Sequence, residues 1–276
     1  MSRYTFTLAG QEHDALLRER MAADRMEGAI AVSFRREPSY FAGCAVQGDV
    51  TQVVTCIDQH TGALTGLGSR STASAYVNGA PQRIGYLADL RVAPEYRRGT
   101  LLARGYRFFQ GLHEADPVPF YTTMIYDGNA PALQTLQGAR GGLPLYRDWG
   151  RFLTPALRLD RKVVRIPQFG VEVRRGSREK LHDIVSFLNR TQATKQFAPD
   201  YRASDFPDGR FKGLQAGDFF VAWREGRIVG TLAAWDQAAF RQTHVESYSG
   251  LLALARPFYN AAARLLDYKQ IGRAHV

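Results

Sequence analysis

The sequence predicts an α+β fold in which a mixed central sheet is flanked by helices. Three alternating apolar runs between residues 50 and 92, separated by turn signals such as Asn78-Gly79, predict a meander of three strands. Before the meander, apolar residues such as Leu17 and Met21 recur at helical spacing. After it, helical and strand patterns alternate up to about residue 158 without a long unexplained loop.

Each element of the first half follows from its local pattern. Period-two alternation predicts strands, apolar residues three and four apart predict helices, and Gly, Asn and Pro mark the turns between them. In chain order we expect a strand at Tyr4–Leu8, helices at Glu12–Ala23 and Pro38–Ala45, strands at Thr51–Ile57, Ala63–Tyr76 and Ile84–Val92, a helix at Leu101–His113, a strand at Pro119–Tyr126, a helix at Asp127–Gln137 and a strand at Tyr146–Leu153.

Residues 90–109 carry the most informative pattern of the chain. A strand ends at Val92, and after a turn Arg97, Arg98, Gly99 and Thr100 open an amphipathic helix. The first N–H groups of a helix have no internal partner and the helix dipole adds positive charge there, so such a start binds anions such as a diphosphate. A plain strand, turn and helix with a solvated basic start is the alternative interpretation.

The segment Leu-Arg-Val-Ala-Pro-Glu-Tyr-Arg-Arg-Gly resembles motif A of the GNAT superfamily, the acyl-CoA-dependent N-acyltransferases. That family carries V-x-P-x-x-R-x-x-G from a strand into an acetyl-CoA-binding loop, and the order of elements over about residues 3–158 is also that of the family. The loop departs from the family's Q/R-x-x-G-x-G/A pattern, because Thr100 and Leu102 stand where glycines are expected. The resemblance implies acetyl-CoA as acyl donor, and no metal is expected, because no metal-ligand spacing occurs in the sequence. The residues that it implies for binding are Leu90, Arg91, Val92, Arg97, Arg98, Gly99, Thr100, Leu101, Leu102 and Asn129.

Acyl transfer to an amine needs a group that accepts the ammonium proton and one that protonates the leaving thiolate. Asp89 is the candidate base because it lies just upstream of the presumed acyl site, with a structural ion pair to a neighbouring arginine as the alternative. The resemblance implies a Tyr that acts as general acid at about position 136, but this sequence has Leu136 there. Tyr126 and Tyr146 are the candidate replacements. Asn129 matches the family's N-x-x-A, and a plain helix N-cap is its alternative role.

The organisation restarts after a linker at residues 159–170. Strands are expected at Val171–Arg174, Phe219–Trp223, Ile228–Trp235 and Val245–Leu254, with helices at Arg178–Arg190 and Ala261–Tyr268. We therefore predict a GNAT N-acetyltransferase domain at 1–158 and a partial second GNAT-like domain at 171–269. Residues 270–276 resemble a translated sequencing adapter, which predicts a non-native tail after a shortened second domain.

Composition narrows the function classes. The chain has 276 residues, 45% hydrophobic and 22% charged, which is typical of a globular protein. No apolar stretch is long enough for a membrane span, and no signal peptide is apparent, so the cytoplasm is expected. The net charge of +10 lies mainly after residue 160, without a nucleic-acid-binding motif. Neither Cys44 and Cys56 nor the six histidines show metal-ligand spacing.

Two functional hypotheses follow. The first is an acetyltransferase that transfers an acetyl group from acetyl-CoA to a small-molecule or peptide amine by direct attack, with a second copy of the chain as a further candidate partner. The second is a non-catalytic module that binds acyl-CoA or builds an interface. The V-x-P-x-x-R approach favours the first hypothesis, whereas the absent Tyr and the altered glycines favour the second.

Overall fold

The computed structural model describes residues 2–97, 99–138, 142–155, 157 and 170–266. Its strands are β1 (Tyr4–Leu8), β2 (Ile30–Arg35), β3 (Val50–Asp58), β4 (Leu64–Val77), β5 (Ala80–Val92), β6 (Tyr121–Thr122), β7 (Glu172–Arg175), β8 (Phe219–Arg224), β9 (Arg227–Ala233) and β10 (Gln242–Tyr248). Its helices are α1 (Asp14–Ala23), α2 (Tyr40–Ala45), α3 (Leu101–Ala115), α4 (Ala130–Gln137), α5 (Leu181–Gln192) and α6 (Gly250–Leu265).

A five-stranded mixed sheet organises the first half of the chain. Its strand order is β1-β3-β4-β5-β6. The first four strands pair antiparallel, whereas β6 pairs parallel to β5, as a strand that returns after a helical crossover must. The predicted fold class, a mixed sheet flanked by helices, is confirmed.

Helices cover both faces of this sheet at β4, which is buried along almost its whole length. Leu67 packs into a core with Leu17 of α1 and Tyr40 of α2. Its neighbour Gly68 faces the other way, and a Cβ on Gly68 would lie 3.0 Å from the Phe109 ring of α3. Successive strand residues point to opposite faces, so α1 and α2 lie on one side and α3 on the other.

A second, two-stranded sheet joins distant parts of the chain. The strand β2 pairs antiparallel with β10. The sequence analysis predicts no strand at Ile30–Arg35, because its buried positions, Ala31 and Ser33, carry no large apolar side chain. The partner strand is about two hundred residues away, so local periodicity gives no sign of this pairing.

The third sheet lies in the second half, where β7, β8 and β9 form an antiparallel unit with α5 packed on it. The predicted β8–β9 hairpin and the predicted helix are present. The core between them is rich in aromatic rings, including Phe206, Phe211 and Phe219. The division into an acetyltransferase domain and a partial second GNAT-like domain stays a prediction.

One predicted strand is absent, and two others are shorter than expected. Tyr146–Leu153 lies in no sheet, because Gly150 breaks the extended run with φ +125°, and Trp149 and Phe152 are exposed. The strand predicted to reach Leu254 ends at Tyr248, since the following Leu- and Ala-rich run favours the helix α6. The strand predicted at Pro119–Tyr126 pairs only over β6.

Three further predictions of the sequence analysis concern residues outside the described ranges: the linker at 159–169, the tail at 270–276 and the side chain of Arg98. Among the helices that the structure does describe, none combines the length and the apolar character that crossing a membrane requires.

Candidate functional site

The strand β5 carries a β-bulge at Asp89. The register between β4 and β5 shifts there, so that Asp89 and Leu90 together stand opposite the single residue Gly68. Asp89 has φ +56°, a left-handed conformation that Asp adopts more readily than most residues. A bulge interrupts the ladder of hydrogen bonds and re-aims the side chains around it. It therefore leaves main-chain groups of β5 available at this point of the sheet.

The bulge sends the two residues to opposite faces of the sheet. Leu90 Cδ1 lies 3.7 Å from the position of a Cβ on Gly68, on the side covered by α3. Asp89 Oδ2 instead accepts a hydrogen bond of 3.1 Å from the Tyr40 hydroxyl of α2. Asp89 thus lies on the α1–α2 side of the sheet, whereas Leu90 lies on the α3 side.

The strands β5 and β6 separate just before the bulge. They pair only at Gly85 and Tyr86, and Thr123 Oγ1 adds a last link of 2.6 Å to the Leu87 carbonyl. Beyond that point β5 continues to Val92 while the chain after β6 leaves it. Three large apolar side chains on the two segments that follow the last pair are exposed: Leu90 by 40%, Met124 by 68% and Tyr126 by 56%. An opening with apolar walls between two parallel strands can receive an extended, mostly apolar chain.

Two features hold the opening in place. The buried guanidinium of Arg70 donates to the Tyr121 hydroxyl at 2.8 Å and to Gln52 Oε1 at 2.7 Å. The Tyr121 ring also covers Gly85, where a Cβ would overlap it at 2.1 Å. Glycine at position 85 therefore allows β6 to approach β5 just before the strands part.

The loop after β5 leads into the start of α3, as the sequence predicts. A short turn of helix at Pro94–Tyr96 follows the strand, and α3 begins at Leu101 with no acidic residue in its first turn. Gly99 is exposed, and a Cβ on it would meet nothing within 4 Å. The helix start is therefore open to an anion, and its charge is positive.

The predicted cofactor-binding residues near the start of α3 differ in their contacts and in their burial. Arg97 lies at the loop, where its Nε donates to the Val92 carbonyl at 3.0 Å. Thr100 is the N-cap residue but makes no side-chain cap hydrogen bond. Leu101 is buried and Leu102 half-buried. A small cavity of about 30 Å³ under β5 is lined by Leu90, Arg91, Val92, Leu101 and Leu102 among others.

Arg91 points away from the helix start. Its Nε lies 3.2 Å from the Met21 sulfur, and its Nη1 lies 3.6 Å from Asp24 Oδ2, so it packs against α1. A direct side-chain contact with a diphosphate at α3 would require this arrangement to change. Only the main chain of Arg91, beside the bulge, is placed for such a role.

Asp89 is part of a buried charged cluster. Its Oδ2 lies 2.5 Å from Nη2 of Arg36, and both side chains are about nine-tenths buried. Arg36 also contacts the Cys44 sulfur and lies with its guanidinium 4.7 Å from the centre of the Tyr40 ring. The ion pair that the sequence analysis weighed against a catalytic role is present.

Burial controls the ionisation of this cluster. Burial raises the pKa of the Cys44 thiol to about 11 against the opposing charge of Arg36, and it raises that of Tyr40 well above its usual value, with Asp89 adding to the effect. Burial opposes the charge of Arg36, but Asp89 outweighs it and raises the pKa of the guanidinium. The thiol and the phenol are therefore neutral at pH 7, while Arg36 is cationic.

A residue from the second half completes the cluster. Arg241 directly precedes β10, and its Nε donates to the Gly43 carbonyl of α2 at 2.9 Å. Burial, followed by the charge of Arg36, lowers the pKa of Arg241. The site at Asp89 is therefore built from both halves of the chain.

The two candidate tyrosines lie in different surroundings. Tyr126 lies along the opening and stacks on Phe34 of β2, with ring centres 5.8 Å apart. Tyr146 shares a hydrogen bond of 2.7 Å with the Tyr106 hydroxyl of α3. Burial raises the pKa of both Tyr126 and Tyr146, so each keeps its proton at pH 7.

Asn129 acts as the N-cap of α4. Its Oδ1 accepts from the Ala132 N–H at 3.3 Å, which is the plain structural role considered for it. Leu136, at the position where the family often has Tyr, is buried in the core. Within the described ranges, no three His, Cys, Asp or Glu side chains are grouped to hold a metal ion.

The path of the chain is similar to that of solved GNAT acetyltransferases. An acetyltransferase of Trypanosoma brucei is 15% identical, with a TM-score of 0.39 over 56% of this chain and 99% of that chain. An aminoglycoside 6'-N-acetyltransferase, AAC(6')-Ih of Acinetobacter baumannii, is 12% identical, with a TM-score of 0.41 over 56% and 99%. AAC(6')-Iy, solved with a CoA-containing bisubstrate analogue, is 14% identical, with a TM-score of 0.40 over 57% and 99%.

No family model matches the chain. No curated protein matches it in sequence either. The likeness to the solved acetyltransferases covers a little more than half of the chain and assigns no role to a residue.

Sequence reasoning did not assign a role to several members of the cluster around Asp89. These members are Arg36, Tyr40 and Arg241. Arg36 and Tyr40 flank a predicted helix start, a signal that could have paired them with Asp89. No local pattern could have brought Arg241 to them, because its position depends on the β2–β10 pairing.

Proposed function

We propose that the chain is an N-acetyltransferase that transfers an acetyl group from acetyl-CoA to a primary amine by direct attack. The observation that carries the proposal is the bulge at Asp89, beside the point where β5 parts from β6 and one loop before the open start of α3. These three features lie in the order that an acyl group, an extended pantetheine arm and a diphosphate would need.

The residues have the following proposed roles. The loop at Arg97–Thr100 and the first N–H groups of α3 bind the diphosphate, and the apolar walls at Leu90, Met124 and Tyr126 hold the pantetheine arm. A main-chain N–H at the bulge polarises the thioester carbonyl. The open space around Gly99 leaves room for the diphosphate beside this loop.

In the proposed reaction the amine nitrogen attacks the thioester carbon, a C–N bond forms and the C–S bond breaks. Asp89, which the ion pair with Arg36 orients, accepts the ammonium proton directly or through water. The CoA thiolate leaves and takes a proton from Tyr126, which keeps its proton at pH 7. The acetylated nitrogen gives its surplus proton to the Tyr126 phenolate, and Asp89 releases its proton to water. Tyr146 is bonded to Tyr106 and is the second candidate acid.

The binding module stays the second candidate, and one observation favours it. The Asp89 carboxylate has structural contacts, since Oδ2 binds Arg36 and Tyr40 within a buried cluster. A carboxylate held in this way can stabilise the bulge without taking part in proton transfer. Such a protein would bind acetyl-CoA and transfer nothing.

Two measurements on the same protein separate the candidates. The first is the shift of the melting temperature with acetyl-CoA, and the second is the release of free thiol from acetyl-CoA with a panel of primary amines. An acetyltransferase gives both a shift and amine-dependent thiol release. A shift without release for any amine supports the binding module, and no shift at all overturns both candidates.

A further inference from the structure

The cluster at Asp89 contains more positive than negative charge. Arg36 directly follows β2 and Arg241 directly precedes β10, and each interacts with the Asp89 carboxylate. In the part of the chain that the structure describes, Asp89 is the one carboxylate within 4 Å of the Arg36 guanidinium, and no carboxylate lies that close to Arg241. Two cations thus share one anion in a largely buried site.

This excess of positive charge is unfavourable unless a further anion binds at the site. A charge removed from water needs a partner, and two like charges weaken each other. Burial and the neighbouring Arg36 lower the pKa of Arg241, as expected for a cation without its own counter-ion. The remaining contacts of the pair are neutral, namely the Cys44 thiol, the Tyr40 phenol and the Gly43 carbonyl.

Arg241 is fixed rather than free to swing into solvent. Its main-chain N–H donates to the Gln237 carbonyl at 2.8 Å, closing a turn, and its Nε donates to the Gly43 carbonyl. The next residue, Gln242, clamps Glu37 by accepting from its N–H at 3.0 Å and donating to its carbonyl at 2.9 Å. The guanidinium is therefore held in place before any ligand arrives.

The residues of the cluster also differ in their exposure to solvent. Arg36 is 6% exposed and Tyr40 is fully buried, whereas Arg241 is only partly buried. Tyr86, on β5 just before the bulge, interacts with both Arg241 and Asp89. The uncompensated cation therefore faces the same side of β5 as the Asp89 carboxylate.

From this arrangement we infer that the amine acceptor also carries a carboxylate, which pairs with Arg241 while the ammonium group pairs with Asp89. A guanidinium binds a carboxylate through two parallel hydrogen bonds, which suits an amino acid or a short peptide better than an uncharged or purely cationic amine. The inference rests on the proposed acetyltransferase function, because it names the substrate class of that same site.

The test compares amines that differ only in the carboxylate. The initial rate of thiol release from acetyl-CoA is measured with lysine against cadaverine and with free amino acids against their carboxamides. We expect kcat/KM for the carboxylate-bearing member to be at least 10-fold higher in each pair. Equal or lower values for the acids, in a protein that acetylates the amides, overturn the inference and leave the proposed function intact.

Variants of the chain locate the effect. Arg241→Gln should reduce the preference for the acid at least 10-fold, mainly through KM, while Arg241→Lys retains part of it because the charge stays. Arg210→Gln is the matched control, since Arg210 is another partly buried arginine that donates to a main-chain carbonyl, at Ser74. A full preference in a folded Arg241→Gln, or an equal loss in Arg210→Gln, contradicts the assignment.

A binding measurement without turnover completes the test. Amino acids should raise the melting temperature of the protein without acetyl-CoA more than their carboxamides do, and Arg241→Gln should abolish the difference. The shift with acetyl-CoA should be the same in the wild type and in Arg241→Gln. If acetyl-CoA does not raise the melting temperature of the wild type, the proposed function itself is refuted.

Discussion

Asp89 is the residue on which the site depends most. It sits at the bulge in a left-handed conformation, and its carboxylate neutralises Arg36. The side chain therefore has a structural role and, in the proposed reaction, a chemical one. Two measurements can separate these roles, because folding and turnover respond differently to the loss of its charge.

The structural role predicts that Asp89→Asn destabilises the protein by about 3–5 kcal/mol, because the buried Arg36 loses its counter-ion. Asn tolerates the left-handed conformation as well as Asp does, so the substitution isolates the charge. Urea unfolding of both proteins measures the difference. Adding Arg36→Met should recover part of the loss, and a double variant no more stable than Asp89→Asn alone would refute the ion-pair account.

The chemical role predicts that Asp89→Asn lowers kcat by about 100-fold or more, as for the loss of a general base. The affinity for acetyl-CoA should change less than threefold, because Asp89 faces α2 and not the start of α3. Initial rates and equilibrium binding are measured at a temperature where the variant is folded. An unchanged kcat would assign Asp89 to structure alone and favour the binding module.

At the scale of elements, α3 lies against the sheet and presents its start to the loop after β5. Two glycines, one inside α3 and one on β4 facing it, differ in the space around them. A Cβ at Gly111, inside α3, would meet nothing within 4 Å, whereas one at Gly68 of β4 would press on the Phe109 ring at 3.0 Å. The same substitution should therefore have opposite effects at these positions.

We expect Gly111→Ala to stabilise the protein by about 0.5–1 kcal/mol, because alanine loses less backbone entropy in a helix interior. Gly68→Ala should destabilise it, because the packed Phe109 ring must shift by a few tenths of an ångström to admit the methyl group. Chemical unfolding of the two variants gives the comparison. A stabilising Gly68→Ala would mean that α3 does not pack on β4 as described.

Asp116, in the segment before β6, should make the stability of the protein depend on pH in the acidic range. Hydrogen bonds from Arg83, opposed in part by desolvation, and then those from Arg70 lower the pKa of Asp116 to about 2. A carboxyl whose pKa is lower in the folded state stabilises above its unfolded value, and this contribution is lost as the pH falls toward 2. Asp116→Asn should be less stable than the wild type at pH 7, and the difference should shrink between about pH 4 and 2. A constant difference across that range would contradict the pairing.

Residues that define local elements could be predicted from the sequence. The run that ends at Val92, the turn at Pro94 and the helix from Leu101 follow from periodicity and turn chemistry, and they place the bulge strand and the start of α3 correctly. The strand β2 could not be predicted, because its buried side is made of Ala31 and Ser33. At Tyr146–Leu153 the opposite happened: a strand was predicted and is absent, because alternating apolar residues do not supply a neighbouring strand to pair with.

At the scale of the whole molecule, the two halves of the chain meet at the candidate site. The β2–β10 pairing places Arg241 against α2, and Gln242 clamps both main-chain groups of Glu37. A second contact joins the halves at the far end of β4, where Gln196 bonds to Asn78. The first contact lies beside the site and the second does not.

Gln242→Ala should therefore cost about 1–3 kcal/mol by leaving main-chain groups of Glu37 unpaired. It should also raise KM for the amine, because Arg241 loses its neighbouring anchor, and leave acetyl-CoA affinity unchanged. Gln196→Ala is the control, since it removes an exposed contact between the same halves and should not change KM. Equal effects of both variants on KM would show that general loosening, and not the position of Arg241, is responsible.

The central claim is that the loop before α3 binds the diphosphate of acetyl-CoA. Titration calorimetry with acetyl-CoA tests it on the wild type, Gly99→Glu and Gly111→Glu. Both glycines have open space around a new side chain, so neither variant disturbs packing, and both add one negative charge. The account predicts that Gly99→Glu weakens binding at least 10-fold and that Gly111→Glu changes it less than threefold. Equal affinities for the two variants would contradict it.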